Sequence, residues 1–229
     1  MKCWICGNEE ATTREHRSKA SDLRSMFGDP TQAAPLYLHT AQRRNRKVGS
    51  LKADALKFTH RICLTCNSAT TQPHDYAWAE FSSALRSHYP ALTPGATLRF
   101  SQVFSYDTRR RMLNVHLYFV KLFGCQIVEG KMGIDTSSFS QAILGGTPHA
   151  NLYLAFGRMA DLPVPVVGGS NVEVAVLDGK TAFASWIYQV GHLFVDVVYA
   201  TEGEHREGLV NAWHPRLGTK RFTVKGYGM

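Results

Sequence analysis

Cys3 and Cys6 form one Cys-x-x-Cys pair and Cys63 and Cys66 a second, with Glu15-His16 between the pairs and Asn67 directly after the last cysteine. Four thiolates at that spacing suit one tetrahedral zinc ion. Such an ion would pin the first residues of the chain to a segment far along it, and Glu15, His16 and Asn67 would then converge. Their chemistry suits phosphodiester hydrolysis, which needs an activated water, an electrophile to take charge off the phosphate, and a group for the leaving oxygen. His16 can be the base, because an imidazole with an ordinary pKa near ~6.5 accepts a proton at neutral pH without being mostly protonated beforehand.

The surrounding charge fits an anionic partner. The 229 residues carry 26 Lys and Arg against 18 Asp and Glu, a formal charge of +8, and such a balance favours nucleic acid. Within residues 43–61, Arg43, Arg44, Arg46, Lys47, Lys52, Lys57 and Arg61 oppose only Asp54. A run of this kind can be a solvated surface and nothing more. Lying between two cysteine pairs, it is placed to neutralise phosphates without reading bases. Arg14, Arg17 and Lys19, which flank the Glu-His pair, are further candidates to clamp phosphates.

An apolar fraction of 44% and a charged fraction of 19% are those of a folded, water-exposed protein. No apolar run reaches the roughly eighteen residues of a membrane span. The start, Met1-Lys2-Cys3-Trp4-Ile5-Cys6, lacks the apolar core of a secretory signal. These features predict a cytoplasmic protein with no membrane partner, in which paired cysteines bind zinc rather than form disulfides. Cys125, inside an apolar run, is expected to be inert core.

The elements that must position these groups divide into two parts, residues 1–90 and 91–229, with the boundary at the Pro- and Gly-bearing stretch 89–95. In the first, Ser18 or Ser21 could cap a helix from Ala20 to Phe27 that Gly28 and Pro30 end. Pro73 suits the first turn of another helix, with Tyr76, Trp78, Phe81 and Leu85 along one side. In the second part, residues 97–106 read as a strand, and 112–123 as a buried helix, with a strand as the other possibility. Segments 151–157, 171–177, 181–189 and 192–200 read as an antiparallel meander. The fold class expected is α+β.

The runs Cys3-Trp4-Ile5-Cys6-Gly7, Thr13-Arg14-Glu15-His16 and Ile62-Cys63-Leu64-Thr65-Cys66-Asn67 together resemble the zinc-supported HNH endonuclease family, over about the first third of the chain. The resemblance implies a ββα-metal module: a β-hairpin crossed by a helix around a catalytic divalent ion, with the four cysteines holding a separate structural zinc. It also implies His16 as general base and Glu15 and Asn67 as ligands of the catalytic ion. Both are oxygen donors, which favours magnesium or manganese. The family's middle Asn has no counterpart in residues 57–62, and His60 is the substitute on offer. His74, seven residues after Asn67, is a candidate third ligand or leaving-group donor. The distance in sequence from His16 to Asn67 implies an insertion, which costs little when the zinc holds its ends.

The expected function is a metal-dependent endonuclease acting on DNA. The alternative is a catalytically inactive, zinc-stabilised nucleic-acid-binding protein. Residues 91–229 would then supply recognition, regulation or dimerisation, as in a phage-defence, restriction or mobile-element component, and cutting both strands with one site per chain would call for a homodimer.

Overall fold

The computed structural model describes residues 1–87, 92–160, 164–201, 209 and 211–227. It is a mixed α and β structure with four α-helices and mainly antiparallel sheets. The expected boundary stretch 89–95 falls partly outside the described residues. No described helix is long and apolar enough to cross a membrane.

Helix α1 spans Ala20–Phe27 and ends at Gly28, whose φ of 73° suits a residue without a Cβ. Neither Ser18 nor Ser21 caps it: Lys19 takes the N-cap position without a side-chain bond. The helix is held instead by buried Asp22, which accepts hydrogen bonds from Trp78 Nε1 at 2.8 Å, Tyr188 Oη at 2.8 Å and Ser82 Oγ at 3.3 Å. Burial pushes the Asp22 pKa up, against the lowering effect of these donors. The Lys19 backbone N–H also donates to Tyr188 Oη. The segment after His16 is thereby anchored to the distant C-terminal sheet.

Two short strands, β1 at Leu36–Leu38 and β2 at Arg46–Val48, form an antiparallel hairpin inside the long loop. Val48 packs with Leu23, Leu51 and Leu56 in a small core of its own. A π-helical turn, Cys66–Thr70, leads into α2 at Gln72–Ser87. Trp78, Phe81 and Leu85 of α2 are buried as their spacing predicts, but Tyr76 faces solvent.

Residues 97–106 depart from the expected strand. Only Thr97–Arg99, β3, is extended, paired with β9 at Arg221–Thr223; a 3-10 turn follows at Phe100–Gln102. Gln102 Oε1 accepts the Arg99 N–H at 2.7 Å, and Phe100 turns inward against Trp213 and Phe222. The side-chain bond and the aromatic burial outcompete further strand pairing.

Helix α3, Thr108–Gly130, is buried along most of its length and packs on α2, on α4 at Ser137–Gly145 and on strand β4 at Leu152–Met159. Trp78 of α2 stacks on Tyr118 of α3 at 5.5 Å between ring centroids and meets Phe119 edge-on at 4.8 Å. Beyond β4 come β5 at Val167–Gly169, β6 at Glu173–Leu177, β7 at Lys180–Val190, β8 at Leu193–Ala200 and β10 at Lys225–Tyr227. Their order is β10-β4-β8-β7-β5, with β6 also on β7, and only β10 with β4 is parallel. Strands β6, β7 and β8 form the last three segments of the expected meander, turned first by Asp178-Gly179, both at positive φ, whereas the first segment, β4, pairs with β8 and not with β6. One hydrophobic cluster runs from Cys3 and Ile5 through Trp78 and Phe119 to Trp186 and Val224, joining both parts of the chain.

Candidate functional site

The four paired cysteines come together: one sulfur from each of Cys3, Cys6, Cys63 and Cys66 lies within 4.8 Å of the others. Cys6 Sγ and Cys63 Sγ are 3.8 Å apart, too far for a disulfide. A tetrahedron with metal–sulfur bonds of about 2.3 Å has edges of about 3.8 Å, so the spacing fits a zinc-sized ion. Gly7, at φ 70°, donates its N–H to the Cys3 carbonyl and closes the first knuckle. Hydrogen bonding from the backbone near Glu9 holds the Cys6 thiol down at about 7, whereas burial pushes Cys63 up to about 11 and Cys66 higher still. Without a cation, the Cys63 and Cys66 thiols stay protonated at neutral pH; a metal would displace their protons. The knuckle is wedged against α3, where Gly124 leaves room for Trp4. A Cβ there would lie 2.3 Å from the indole ring.

Glu15 and His16 lie on a two-stranded antiparallel ribbon. Thr13 pairs with Ile62 and His16 with Lys57, and the Phe58 N–H donates to the Glu15 carbonyl at 2.9 Å. From Ile62 the chain passes into the second knuckle and α2, giving an antiparallel pair followed by a helix. Asn67 reaches back to this ribbon, its Nδ2 donating to Thr13 Oγ1 at 3.1 Å, and Thr13 Oγ1 donates to the Ile62 carbonyl at 2.9 Å.

His16 Nε2 lies 3.0 Å from the Leu51 carbonyl oxygen. A carbonyl only accepts, so Nε2 carries a hydrogen, and the tautomer with one ring hydrogen has its lone pair at Nδ1, for which no protein partner is found among the described residues. The group that holds the His16 ring is thus a backbone carbonyl from the long loop, and not His60. His60 faces α3 instead, its N–H and Nδ1 on Glu129 Oε2 at 2.9 and 3.4 Å. Glu129 also accepts from the Thr59 N–H and hydroxyl and from Arg17. Partial burial opposes the Glu129 charge, but these donors outweigh it and hold the carboxyl down at about 2.

Glu15 is fully engaged. Its Oε1 accepts the His16 N–H at 2.9 Å, and its Oε2 accepts from Lys121 Nζ of α3 at 2.7 Å. Lys121 is completely buried and also reaches both oxygens of Asp75 at 3.2 Å and Thr71 Oγ1 at 3.3 Å. Lys19 Nζ joins from outside, 3.4 Å from Asp75 Oδ1. Burial works against the ammonium of Lys121, yet Glu15 and Asp75 prevail and its pKa is raised. Asp75, in the first turn of α2, belongs to this cluster.

Of the donors expected for a catalytic magnesium or manganese ion, the one carboxylate, Glu15, is already paired with Lys121, and Asn67 is tied to Thr13 through Nδ2, so only its neutral amide oxygen could serve as a ligand. Of the three expected ligands only His74 keeps an unpartnered buried ring nitrogen, Nε2, its Nδ1 being bonded to Asn114 Oδ1 at 3.1 Å. Burial lowers the His74 pKa, keeping the ring neutral. Among the described residues, the cysteines are the one group of three or more His, Cys, Asp or Glu side chains arranged to hold an ion.

The basic residues fall into two sets. Arg14 pairs with Asp54 at 3.1 Å, Arg17 with Glu129 and Lys19 with Asp75. Arg43, Arg44, Arg46 and Lys47 are exposed on the β1–β2 hairpin, with no acidic partner among the described residues. The hairpin is seated by Val48 on Leu51 and Leu56, next to the carbonyl that orients His16. Lys121, Glu129, Thr71 and the Leu51 carbonyl were not singled out from sequence. A lysine in the middle of a run as apolar as 112–123 was the one available signal, since buried lysines are nearly always paired. No protein-family profile, curated protein or solved structure matches this chain.

Proposed function

We propose that this protein is a zinc-stabilised endonuclease that hydrolyses DNA phosphodiester bonds with His16 as general base. The observation that carries the reading is the His16 ring, fixed through Nε2–H to the Leu51 carbonyl with Nδ1 left as acceptor, beside a hairpin of four cationic side chains that have no acidic partner among the described residues. In the reaction, His16 Nδ1 takes a proton from water as the water oxygen bonds to phosphorus. The bond from phosphorus to the leaving sugar oxygen breaks, and that oxygen takes a proton from solvent. Arg43, Arg44, Arg46 and Lys47 hold neighbouring phosphates and account for a salt-dependent, largely sequence-independent affinity. Zinc on the four cysteines fixes the end of the ribbon from which Asn67 reaches Thr13.

The test is nicking of supercoiled plasmid by zinc-loaded protein beside His16→Ala. Loss of nicking in the variant, with zinc content and circular dichroism unchanged, supports the assignment, and a variant that cuts at the wild-type rate overturns it. A second reading, an inactive zinc-stabilised binding module, draws on the neutralisation of Glu15 by Lys121. It predicts retarded DNA in a gel without cleavage, and equal retardation by His16→Ala.

A further inference from the structure

A buried lysine shared by two carboxylates stands where the sequence pattern calls for a divalent ion. We infer that Lys121 is the resident cation of this site, so that Glu15 and Asp75 bind no magnesium or manganese and any cleavage at His16 proceeds without a catalytic divalent ion. The clause about cleavage rests on the nuclease reading above; the clause about ion binding does not.

An ammonium has three N–H donors. Those of Lys121 meet three acceptor residues, Glu15, Asp75 and Thr71, at 2.7 to 3.3 Å, which leaves none to be satisfied by water or by a ligand. The side chain has no exposed surface and lies mid-helix among buried Tyr118, Val120 and Leu122. Forcing it out of the pair would strand a charge in the interior, which is strongly unfavourable.

The carboxylates are spent in other ways as well. The second oxygen of Glu15 receives the His16 N–H, and Asp75 Oδ1 receives Lys19 from the solvent side. Two ammonium groups balance two carboxylates, so the cluster has no net negative charge with which to attract a dication. A magnesium ion at bonding distance from Glu15 and Asp75 would sit a few ångströms from the Lys121 ammonium, where repulsion in a poorly screened interior is severe. Lys121 does not touch solvent and cannot touch substrate. It is a positioning residue: it fixes Glu15, whose Oε1 holds the backbone N–H of His16. Charge that builds up on the phosphate must then be met by guanidinium and ammonium side chains at the surface.

The experiment uses the full chain with its cysteines loaded with zinc and excess metal removed. Mn2+ is titrated in and followed by electron paramagnetic resonance, and plasmid nicking is measured with and without added Mg2+. Wild type is expected to bind no Mn2+ up to millimolar concentration, and its nicking rate should change less than about two-fold on adding Mg2+. Lys121→Gln is expected to gain a Mn2+ site that Lys121→Gln with Glu15→Gln loses, a readout that a purely structural lysine would not give. Stoichiometric Mn2+ binding by wild type that is abolished in Glu15→Gln overturns the inference. So does Mg2+ stimulation of nicking by about ten-fold or more that Glu15→Gln abolishes. Absence of nicking under all conditions refutes the nuclease reading, and the wild-type Mn2+ titration then decides the ion-binding inference alone, even where Lys121→Gln fails to fold.

Discussion

The cysteine cluster and the Glu15–Lys121–Asp75 cluster lie toward opposite ends of one ribbon and differ in where their cation comes from. At Cys3, Cys6, Cys63 and Cys66 the chain supplies only donors, and two of the thiols are held protonated by burial. That site is incomplete until an ion arrives. At Glu15 and Asp75 the chain supplies the positive charge itself, from a helix residue 106 positions beyond Glu15 and 46 beyond Asp75. Soft sulfur donors leave a gap that a metal could fill, whereas a buried ammonium closes the gap from within the chain. The comparison teaches that clustered ligand-type residues mark a metal site only when no side-chain cation has already taken them.

The largest effect expected is at the incomplete site. Cys63→Ser, or chelation of the ion, should release zinc and unfold the ribbon end, because structural zinc contributes on the order of 10 kcal/mol to small zinc modules. Zinc content and circular dichroism together check this, and a metal-free protein with unchanged stability would remove the contrast.

Next comes the self-sufficient site. Lys121→Met leaves two carboxylates uncompensated and should destabilise by about 3–5 kcal/mol in urea denaturation. Adding Glu15→Gln and Asp75→Asn should recover part of that loss, since the penalty lies in the stranded charges. If the three changes are simply additive, the lysine acts through packing instead.

A smaller, pH-dependent effect belongs to the clamp at the C-terminal end of α3. The Glu129 carboxyl is held at about 2 against an ordinary 4.5, so its stabilisation is complete above about pH 4.5 and is lost as pH falls toward 2. Glu129→Gln should cost about 1–3 kcal/mol at pH 7 and flatten the stability profile in that window. His149 titrates in a different range. Burial first, and then His214 and Arg216, lower it from 6.5 to about 4, so wild-type stability should already decline as pH drops from about 6.5 toward 4, and His149→Phe should reduce that decline. Smallest in stability is the exposed hairpin. Changing Arg43, Arg44, Arg46 and Lys47 to Ala should alter unfolding by less than about 0.5 kcal/mol, while lowering DNA affinity and the steepness of its salt dependence.

Much of the local structure was legible. Ala20–Phe27 and Gln72–Ser87 are helices because apolar spacing and the flanking Gly28 and Pro73 agree. The strands of the meander follow from alternation between glycine-bearing turns. Cys125 is buried, and burial raises its thiol pKa, as its apolar setting suggests. The misses have a common cause. Residues 100–102 leave the strand because Phe100 finds an aromatic pocket made by Trp213 and Phe222, far away in sequence. The cap expected from Ser18 or Ser21 is replaced by Asp22 bonding to α2 and β7. In each case a tertiary contact outweighs a local preference of about a kilocalorie per mole.

The sequence by itself determined the cysteine site, the basic character of the loop and the pairing of Glu15 with His16 as neighbours, because residue type and short spacing are all that those features need. Tertiary structure alone decided what the acid of that pair is bonded to and which atom holds the His16 ring. Both depend on groups that arrive through folding: the Lys121 ammonium carried in by α3, and the Leu51 carbonyl, a backbone atom that every residue has and that becomes particular only by its position.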